Sequence, residues 1–471
     1  MFLGRIASIV MLPVYTRYLS PADYGVLELI DVCMFAVAVL LGMGLTGDAL
    51  FYFYARAVSE ERRENLVNAL LLSSIVCSLA GGLIVVAGAG WISELLFHGR
   101  QYQTAIQIAG LTFVATLPGE TCLAYLRARD KAVVFMGFSL FRLGSNVLLN
   151  IVFLIGFSMG FYSILTTSLL TTTFSLLGLL WYIYTRFVKW RMPDFSVIGP
   201  VVRYSVPLGL GGIGMLTINF GDRYFLSRSC SLTDIGIYSL AYKFGMMLSY
   251  LNLPFIMFWH SQVHQIMRDG DDKGEAAFVR MFTFVAVFFG FAAYCLVMLA
   301  PIVVRVIAGP AFQGAAIYVP WVAAAYLLRV LAGHLESGLL AGNKTKWLMM
   351  SNWLAAGVCL AGYMILIPRF GAWGAVAATF LAFLVMFVFI VTVSQQLKPR
   401  VFELRKISAA YGVLIGLVLL SVALPTVPGA AGVAIAVAFV PVALLLLFLL
   451  PVFKEEQVLL LDFFRRKFKT A

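Results

Sequence analysis

The chain is 471 residues long, 62% of them hydrophobic and only 12% charged, with a net charge of +12. An ordinary soluble domain carries about 25% charged and 45–50% apolar residues, so that class is excluded. The basic excess, which in a soluble protein would suggest nucleic acid, is read first as membrane topology.

Apolar runs of about 20 residues, each long enough to cross a bilayer as a helix, recur along the whole length. They predict an all-α integral membrane protein with about 14 transmembrane helices. The spans fall near residues 2–19, 24–54, 65–89, 101–125, 132–156, 159–185, 203–227, 234–259, 277–303, 312–341, 347–367, 371–396, 407–425 and 430–452. The first is short for a span, and nothing there reads as a cleavable signal peptide leading into a soluble domain. Pro207 and Pro254 are read as kinks in the seventh and eighth spans. The glycine run Gly209–Gly214 lacks the lysine of a phosphate loop and sits within an apolar span, where it favours close helix packing. His260 and His264, beside Asp269, Asp271 and Asp272, are read as a solvated inner loop and not a metal site. All six cysteines lie in or beside apolar runs without C-x-x-C spacing, which argues against zinc or a disulfide framework. The region 454–471 is predicted to be a basic amphipathic cytoplasmic tail able to lie on the inner surface.

Most of the 34 basic residues fall at the N-terminus, in the loops after even-numbered spans and in the tail. Arg17, Arg100, Arg228, Arg305 and Arg369 fall on the opposite side, and Arg142, Arg223, Lys243 and Arg329 lie within spans. This bias predicts that both termini are cytoplasmic. The outward loops are short, the longest near Trp91–Arg100, and leave no room for the external catalytic domain of a membrane glycosyltransferase. No nucleophile–base pair stands out either. The chain is read as a non-enzyme, and no cofactor or metal is predicted.

The sequence also repeats itself. Asp23-Tyr24-Gly25-Val26 in "RYLSPADYGVLELIDV" is echoed by Asp234-Ile235-Gly236-Ile237 in "SLTDIGIYSLAYK". Asp130-Lys131 matches Asn343-Lys344, and Gly160 matches Gly374, all at nearly the same offset. Six spans per copy gives both copies one orientation, related by a pseudo-two-fold axis along the membrane normal. The expected organisation is a six-helix lobe over 1–200, a second over 201–400, two further helices over 401–453, and the tail.

Charges within the spans are the functional candidates, because each costs roughly 2.5–3.5 kcal/mol to insert at a helix centre. Arg142, Arg329, Lys243, Arg223 and Arg17 are taken as a cationic lining for a phosphate or pyrophosphate, which the guanidinium fork suits. Asp222, Asp31, Glu28, Glu336, Asp48 and Glu120 are candidates for ion coupling or for pairing with those bases. Glu28 and Asp31 are spaced to share a helix face, as are Arg329 and Glu336. Asp222 and Lys243 lie at matching depths, as do Arg17 and Glu28.

"LPVYTRYLSPADYGVLELIDV" and "YSVPLGLGGIGMLTINFGDRYFLSRSCSLTDIGIYSLAYK" resemble the Wzx-type flippases of O-antigen and exopolysaccharide repeat units, within the multidrug/oligosaccharidyl-lipid/polysaccharide (MOP) exporter superfamily. Pro207, Asp222-Arg223, Gly236-Ile237-Tyr238 and Lys243 fit that pattern. Tyr52 stands where relatives often carry a basic residue, and Trp259-His260-Ser261 departs from their W-x-P. The resemblance implies a MATE-like fold in a bacterial inner membrane, whose partner is an undecaprenyl-pyrophosphate-linked glycan moved outward by alternating access and an ion gradient. It also implies membrane lipid and polysaccharide-assembly proteins such as a polymerase as partners. A drug/cation antiporter of the same superfamily, or a non-transporting subunit of a polysaccharide synthase, are the alternatives.

Overall fold

The computed structural model describes residues 11–41, 48–57, 59–268, 272–342, 344–423 and 430–453. Side chains 207–212 and a few others inside helices lie outside that description, as do Asp269 to Asp271, Asn343 and the predicted tail over 454–471. All regular structure among the described residues is helical. The helices are α1 (Leu12–Tyr18), α2 (Pro21–Leu41), α3 (Asp48–Arg56), α4 (Glu60–Ala87), α5 (Ala89–Phe97), α6 (Gln103–Ala128), α7 (Ala132–Ile151) and α8 (Tyr162–Arg186). Then follow α9 (Ile198–Ser229), α10 (Leu232–Arg268), α11 (Asp272–Ile307), α12 (Val319–Ala341), α13 (Thr345–Phe370), α14 (Ala372–Leu397), α15 (Leu404–Ala423) and α16 (Ala430–Leu449).

Each of the fourteen predicted ranges holds helix. Nine helices among the described residues are long and apolar enough to cross a membrane, and ten if the bent pair Pro310–Ile317 plus Val319–Leu340 is one span. Three differences are informative. The range 24–54 holds two helices, α2 and α3. The predicted loop at Trp91–Arg100 is largely α5, which starts directly after Gly88 and ends at His98 in the left-handed region (φ 56°). The predicted inner loop carrying His260 is helix, because α10 continues to Arg268 and α11 begins at Asp272.

Two compact units make up the chain. The first comprises Met1–Gly236 with Tyr363–Ala372, the second Ile237–Gly362 with Trp373–Ala471. In the first, α4 packs closely on α6 through small residues: a Cβ on Gly82 would lie 2.9 Å from the Gly110 carbonyl, and Ser78 Oγ donates to the Val114 carbonyl at 2.9 Å. Without a hydrophobic driving force between helices in lipid, such close approach and shared hydrogen bonds are what hold them. In the second unit, Tyr411 donates to the Ala286 carbonyl and Tyr294 to the Phe439 carbonyl, both at 3.1 Å, fixing α15 and α16 against α11. Arg400, stacked on Phe278, bonds Glu275 at 2.6 Å and ties the α14–α15 connection to α11.

The repeated motif forms the same structure twice. Ser20 and Asp23 cap α2 reciprocally: the Asp23 amide donates to Ser20 Oγ at 3.1 Å, and the Ser20 amide donates to Asp23 Oδ2 at 3.0 Å. Ser231 and Asp234 do the same for α10, each at 3.2 Å. This is a capping box with aspartate as the reciprocal partner. The two caps then meet. A Cβ on Gly25 would stand 2.2 Å from the Leu232 carbonyl oxygen, and one on Gly236 1.9 Å from that of Pro21. Glycine in both copies is what lets the two helix starts touch backbone to backbone. Gly160 and Gly371, at φ 58° and 55°, turn the chain before α8 and α14. The structural counterpart of Gly160 in the second copy is therefore Gly371, three residues before the Gly374 matched by sequence.

Candidate functional site

α7 carries the most exposed span of the nine, with 11% of its apolar window buried. Val133, Met136, Leu140, Phe141 and Leu148 are exposed along one side. At 3.6 residues per turn, Arg142 points about half a turn away from the middle of that stripe. It nevertheless stays open, with its side chain 40% exposed, and its Nη1 reaches Glu120 Oε1 on α6 at 3.0 Å. Glu120 is 34% exposed. An apolar stripe on one side suits lipid, while an ion pair on the other needs hydration or a polar ligand, since pairing alone seldom repays the desolvation of two charges. α7 thus presents an apolar stripe on one side and a half-exposed ion pair on the other.

α12 has a related arrangement. The helix is largely buried, with a half-exposed strip through Arg329, Gly333, Glu336 and Leu340. Arg329 Nη1 bonds Glu336 Oε2 at 3.3 Å, with side chains 27% and 13% exposed. Their spacing of two turns brings them together, and Gly333 leaves room: a Cβ there would come 3.4 Å from the Arg329 guanidinium. Glu336 Oε1 is buried without a hydrogen-bond partner. On the adjacent face His334, 2% exposed, bonds through Nε2 to Asn252 Oδ1 of α10 at 3.0 Å.

The other candidates are placed differently. Asp222 and Arg223 on α9 are buried and bonded to each other at 2.8 and 2.9 Å, and the Asn219 carbonyl accepts a further bond from Arg223. This pairing between sequence neighbours shields the guanidinium from solvent. Arg17 is exposed in the last turn of α1. Glu28 is buried on α2, whereas Asp31, one turn on, is exposed. Lys243 is half-buried on α10. Asp48 begins α3, and its side chain lies outside the described residues. The Arg142–Glu120 contact joins residues on successive antiparallel helices; counting both outward from the turn at Asp130 would have signalled their equal depth. His334 and Asn252 carry no such signal, because nothing in the spacing of α10 and α12 fixes their register.

Two recesses lie apart from these pairs. One, of about 380 Å³, is an apolar groove between α7 and α8 lined by Val134, Gly137, Phe138, Phe141, Phe174 and Gly178. The other, of about 560 Å³, is lined by Trp259, Ala276, Ala277, Arg280, Met281 and Phe284 in the second unit.

Comparison with solved structures recovers the same fold. An inward closed structure of the lipid II flippase MurJ superposes with a TM-score of 0.77 at 12% identity, covering 95% of this chain and 96% of that one. An inward-facing multidrug resistance MATE family transporter of the MOP superfamily gives 0.65 at 14% identity, covering 84% and 95%. An outward-facing MATE transporter gives 0.56 at 16% identity, covering 84% and 94%. No curated protein matches the chain by sequence. The family described as polysaccharide biosynthesis protein matches residues 1–259. The protein is an all-α integral membrane protein of the MOP fold, and with that match over more than half its length it belongs to the polysaccharide biosynthesis protein family.

Proposed function

We propose that this protein is a flippase that carries a lipid-pyrophosphate-linked oligosaccharide, an O-antigen or exopolysaccharide repeat unit, across the bacterial inner membrane by alternating access. The observation that carries the reading is the half-exposed Arg142–Glu120 pair on the side of α7 turned away from its apolar stripe. A pyrophosphate entering there replaces the carboxylate as the guanidinium's partner, and the fork of Arg142 binds its oxygens bidentately. Arg329 offers a second such group, and the released Glu120 or Glu336 then takes up a proton or cation, which links the glycan step to an ion gradient. Lys243, Arg223 and Arg17 complete the cationic set, with Asp222, Asp31, Glu28 and Asp48 as further ion-coupling or pairing groups. The lobes over 1–200 and 201–400 rock against one another, and both termini face the cytoplasm. Family membership supports the polysaccharide context, and the likeness to a lipid II flippase supports a lipid-linked cargo. The chemistry is transport and not bond making.

The likeness to multidrug transporters favours one other reading, efflux of an organic cation. Against it, Glu120 and Glu336 are each already paired with an arginine, which disfavours a second cation at either. The test is export in cells lacking the endogenous copy. Arg142→Ala and Arg329→Ala should reach the membrane at normal levels, abolish surface polysaccharide and accumulate the lipid-linked repeat unit. Normal export by both variants overturns the proposed roles. Organic-cation efflux without glycan export overturns the flippase reading.

A further inference from the structure

Four cations at one end of the first unit are mounted on aromatic rings. The Arg127 guanidinium lies between Phe51 and Phe135, 5.3 and 5.4 Å from their centroids. Phe187 carries both Arg129 at 4.9 Å and Lys131 at 5.6 Å. Arg56 stacks on Tyr52 at 3.5 Å. Arg129 also donates to the Tyr125 hydroxyl at 2.7 Å, which sets its plane. Among the described residues none of these four makes a direct salt bridge, unlike Arg63 nearby, which is held by Glu60 at 3.0 Å; Glu60 acts on Arg129 only through space. Asp130, between Arg129 and Lys131, is exposed at φ 56° and is the one acid within the 127–131 turn. Arg127, Lys131 and Arg56 are exposed.

The position of this collar matters. It surrounds the C-terminal end of α6, the start of α7 and the end of α8, three of the helices long enough to span a bilayer. The ends of spanning helices fall near the headgroups, where aromatic rings and basic side chains are both favoured. The apolar groove between α7 and α8 begins directly below. Val134, one of its walls, lies one turn after Lys131, and Phe138 leads to the collar through ring contacts with Tyr182 and from Tyr182 to Phe187. A charged rim thus continues into a slot lined by Val, Gly and Phe, about 380 Å³ in volume.

We propose that this collar and groove form a seat for one anionic diacyl phospholipid, with the phosphate on Arg127, Arg129 and Lys131 and an acyl chain along Val134, Phe138 and Phe141. A ring-stacked guanidinium keeps its N–H edge available for phosphate oxygens, and the ring attraction strengthens as the site is desolvated. Phosphate held to arginine by charge-assisted hydrogen bonds also outlasts the diffuse attraction of a basic surface for an anionic leaflet. The seat is independent of the transport reading. The pyrophosphate of a prenyl-linked lipid shares the phosphate chemistry, but the groove runs from Val134 to Phe141 and neither Arg142 nor Glu120 is among its lining residues.

The test is native mass spectrometry of the full chain titrated with phosphatidylglycerol, phosphatidylcholine or an isoprenyl pyrophosphate, read alongside the thermal shift that each lipid confers. Wild type should retain one phosphatidylglycerol at least tenfold more tightly than phosphatidylcholine. R127Q/R129Q/K131Q should lose that preference, and R305Q/K344Q/R369Q, which removes three charges elsewhere, should keep it. Phe187→Leu leaves every charge in place and should weaken retention several-fold; it also serves if the triple variant fails to fold. Equal losses in the two triple variants, or no effect of Phe187→Leu, overturn the seat. Saturable binding of the isoprenyl pyrophosphate alone overturns the choice of phospholipid.

Discussion

At the scale of single residues, a guanidinium within a helix bundle must be neutralised or hydrated, and Arg142 is paired with Glu120 while its side chain stays 40% exposed. A pair that only locks two helices should tolerate exchange of its members; a pair that receives an anion should not. We therefore predict that Arg142→Glu combined with Glu120→Arg restores thermal stability but not polysaccharide export. Arg142→Lys, which keeps the charge but loses the fork, should cut export by about tenfold or more, in line with the roughly 1.5–3 kcal/mol of a charge-assisted hydrogen bond. Recovery of export by the exchanged pair would reduce Arg142 to a structural role. A second prediction concerns the connection before α9. Bonds from the Ser196 hydroxyl and amide hold the exposed Asp194 carboxyl below its ordinary range. Asn65 brackets the Asp194 backbone, donating to its carbonyl and accepting from its amide. A depressed carboxyl contributes order above its unfolded pKa and loses it as pH falls through the folded value. Protection of the Ser196 amide from hydrogen exchange should accordingly fall in acid, and Ser196→Ala should move that loss to higher pH.

At the scale of elements, the most consequential contact is the crossing of α2 and α10. A Cβ on Gly25 or Gly236 meets a backbone carbonyl at 2.2 or 1.9 Å, and a carbonyl cannot swing aside as a side chain can. Gly25→Ala and Gly236→Ala should each lower the melting temperature in detergent by several degrees, on the scale of 1–3 kcal/mol for overpacking. The double variant should cost less than the sum, because one separation relieves both clashes. Ser20→Ala and Ser231→Ala should cost about 1 kcal/mol each. Much of this was legible in the sequence. Apolar runs locate the helices, and the match of Asp23-Tyr24-Gly25-Val26 to Asp234-Ile235-Gly236-Ile237 reveals the duplication; that both are helix caps closed by Ser20 and Ser231 emerges only in the structure. Other features were not. The stretch near Trp91–Arg100 reads as a loop between two apolar spans, whereas it is largely α5, whose end Ser93 Oγ closes by bonding the Gly99 carbonyl at 2.6 Å. The helical ends of α10 and α11 were missed because charge marks the membrane boundary and not the end of a helix. Arg142 is legible as a candidate, and counting outward from Asp130 puts Glu120 at its depth, but whether the two face one another depends on how α6 packs against α7. The ring-mounted cations were counted for topology alone, since their rings come from α3, α7 and the segment after α8.

At the scale of the whole molecule, the excess of basic residues in alternate connections predicts a side for each. The proposed orientation makes positions 130 and 344 cytoplasmic and positions 99, 160 and 309 external. Single cysteines placed there, in a chain whose six native cysteines are replaced, should divide cleanly. The membrane-impermeant maleimide should label positions 99, 160 and 309 in intact cells, and positions 130 and 344 only after permeabilisation. Labelling of both groups from outside would invalidate the orientation on which outward transport of the glycan rests. The most direct test of that transport is reconstitution of the purified protein in liposomes holding a fluorescent prenyl-pyrophosphate-linked oligosaccharide, with an ion gradient imposed. The account predicts gradient-dependent movement of the label between leaflets, followed by its loss of protection from an external quencher, and none with Arg142→Ala. Label that stays in its original leaflet with wild-type protein, or moves equally well with the variant, would contradict it.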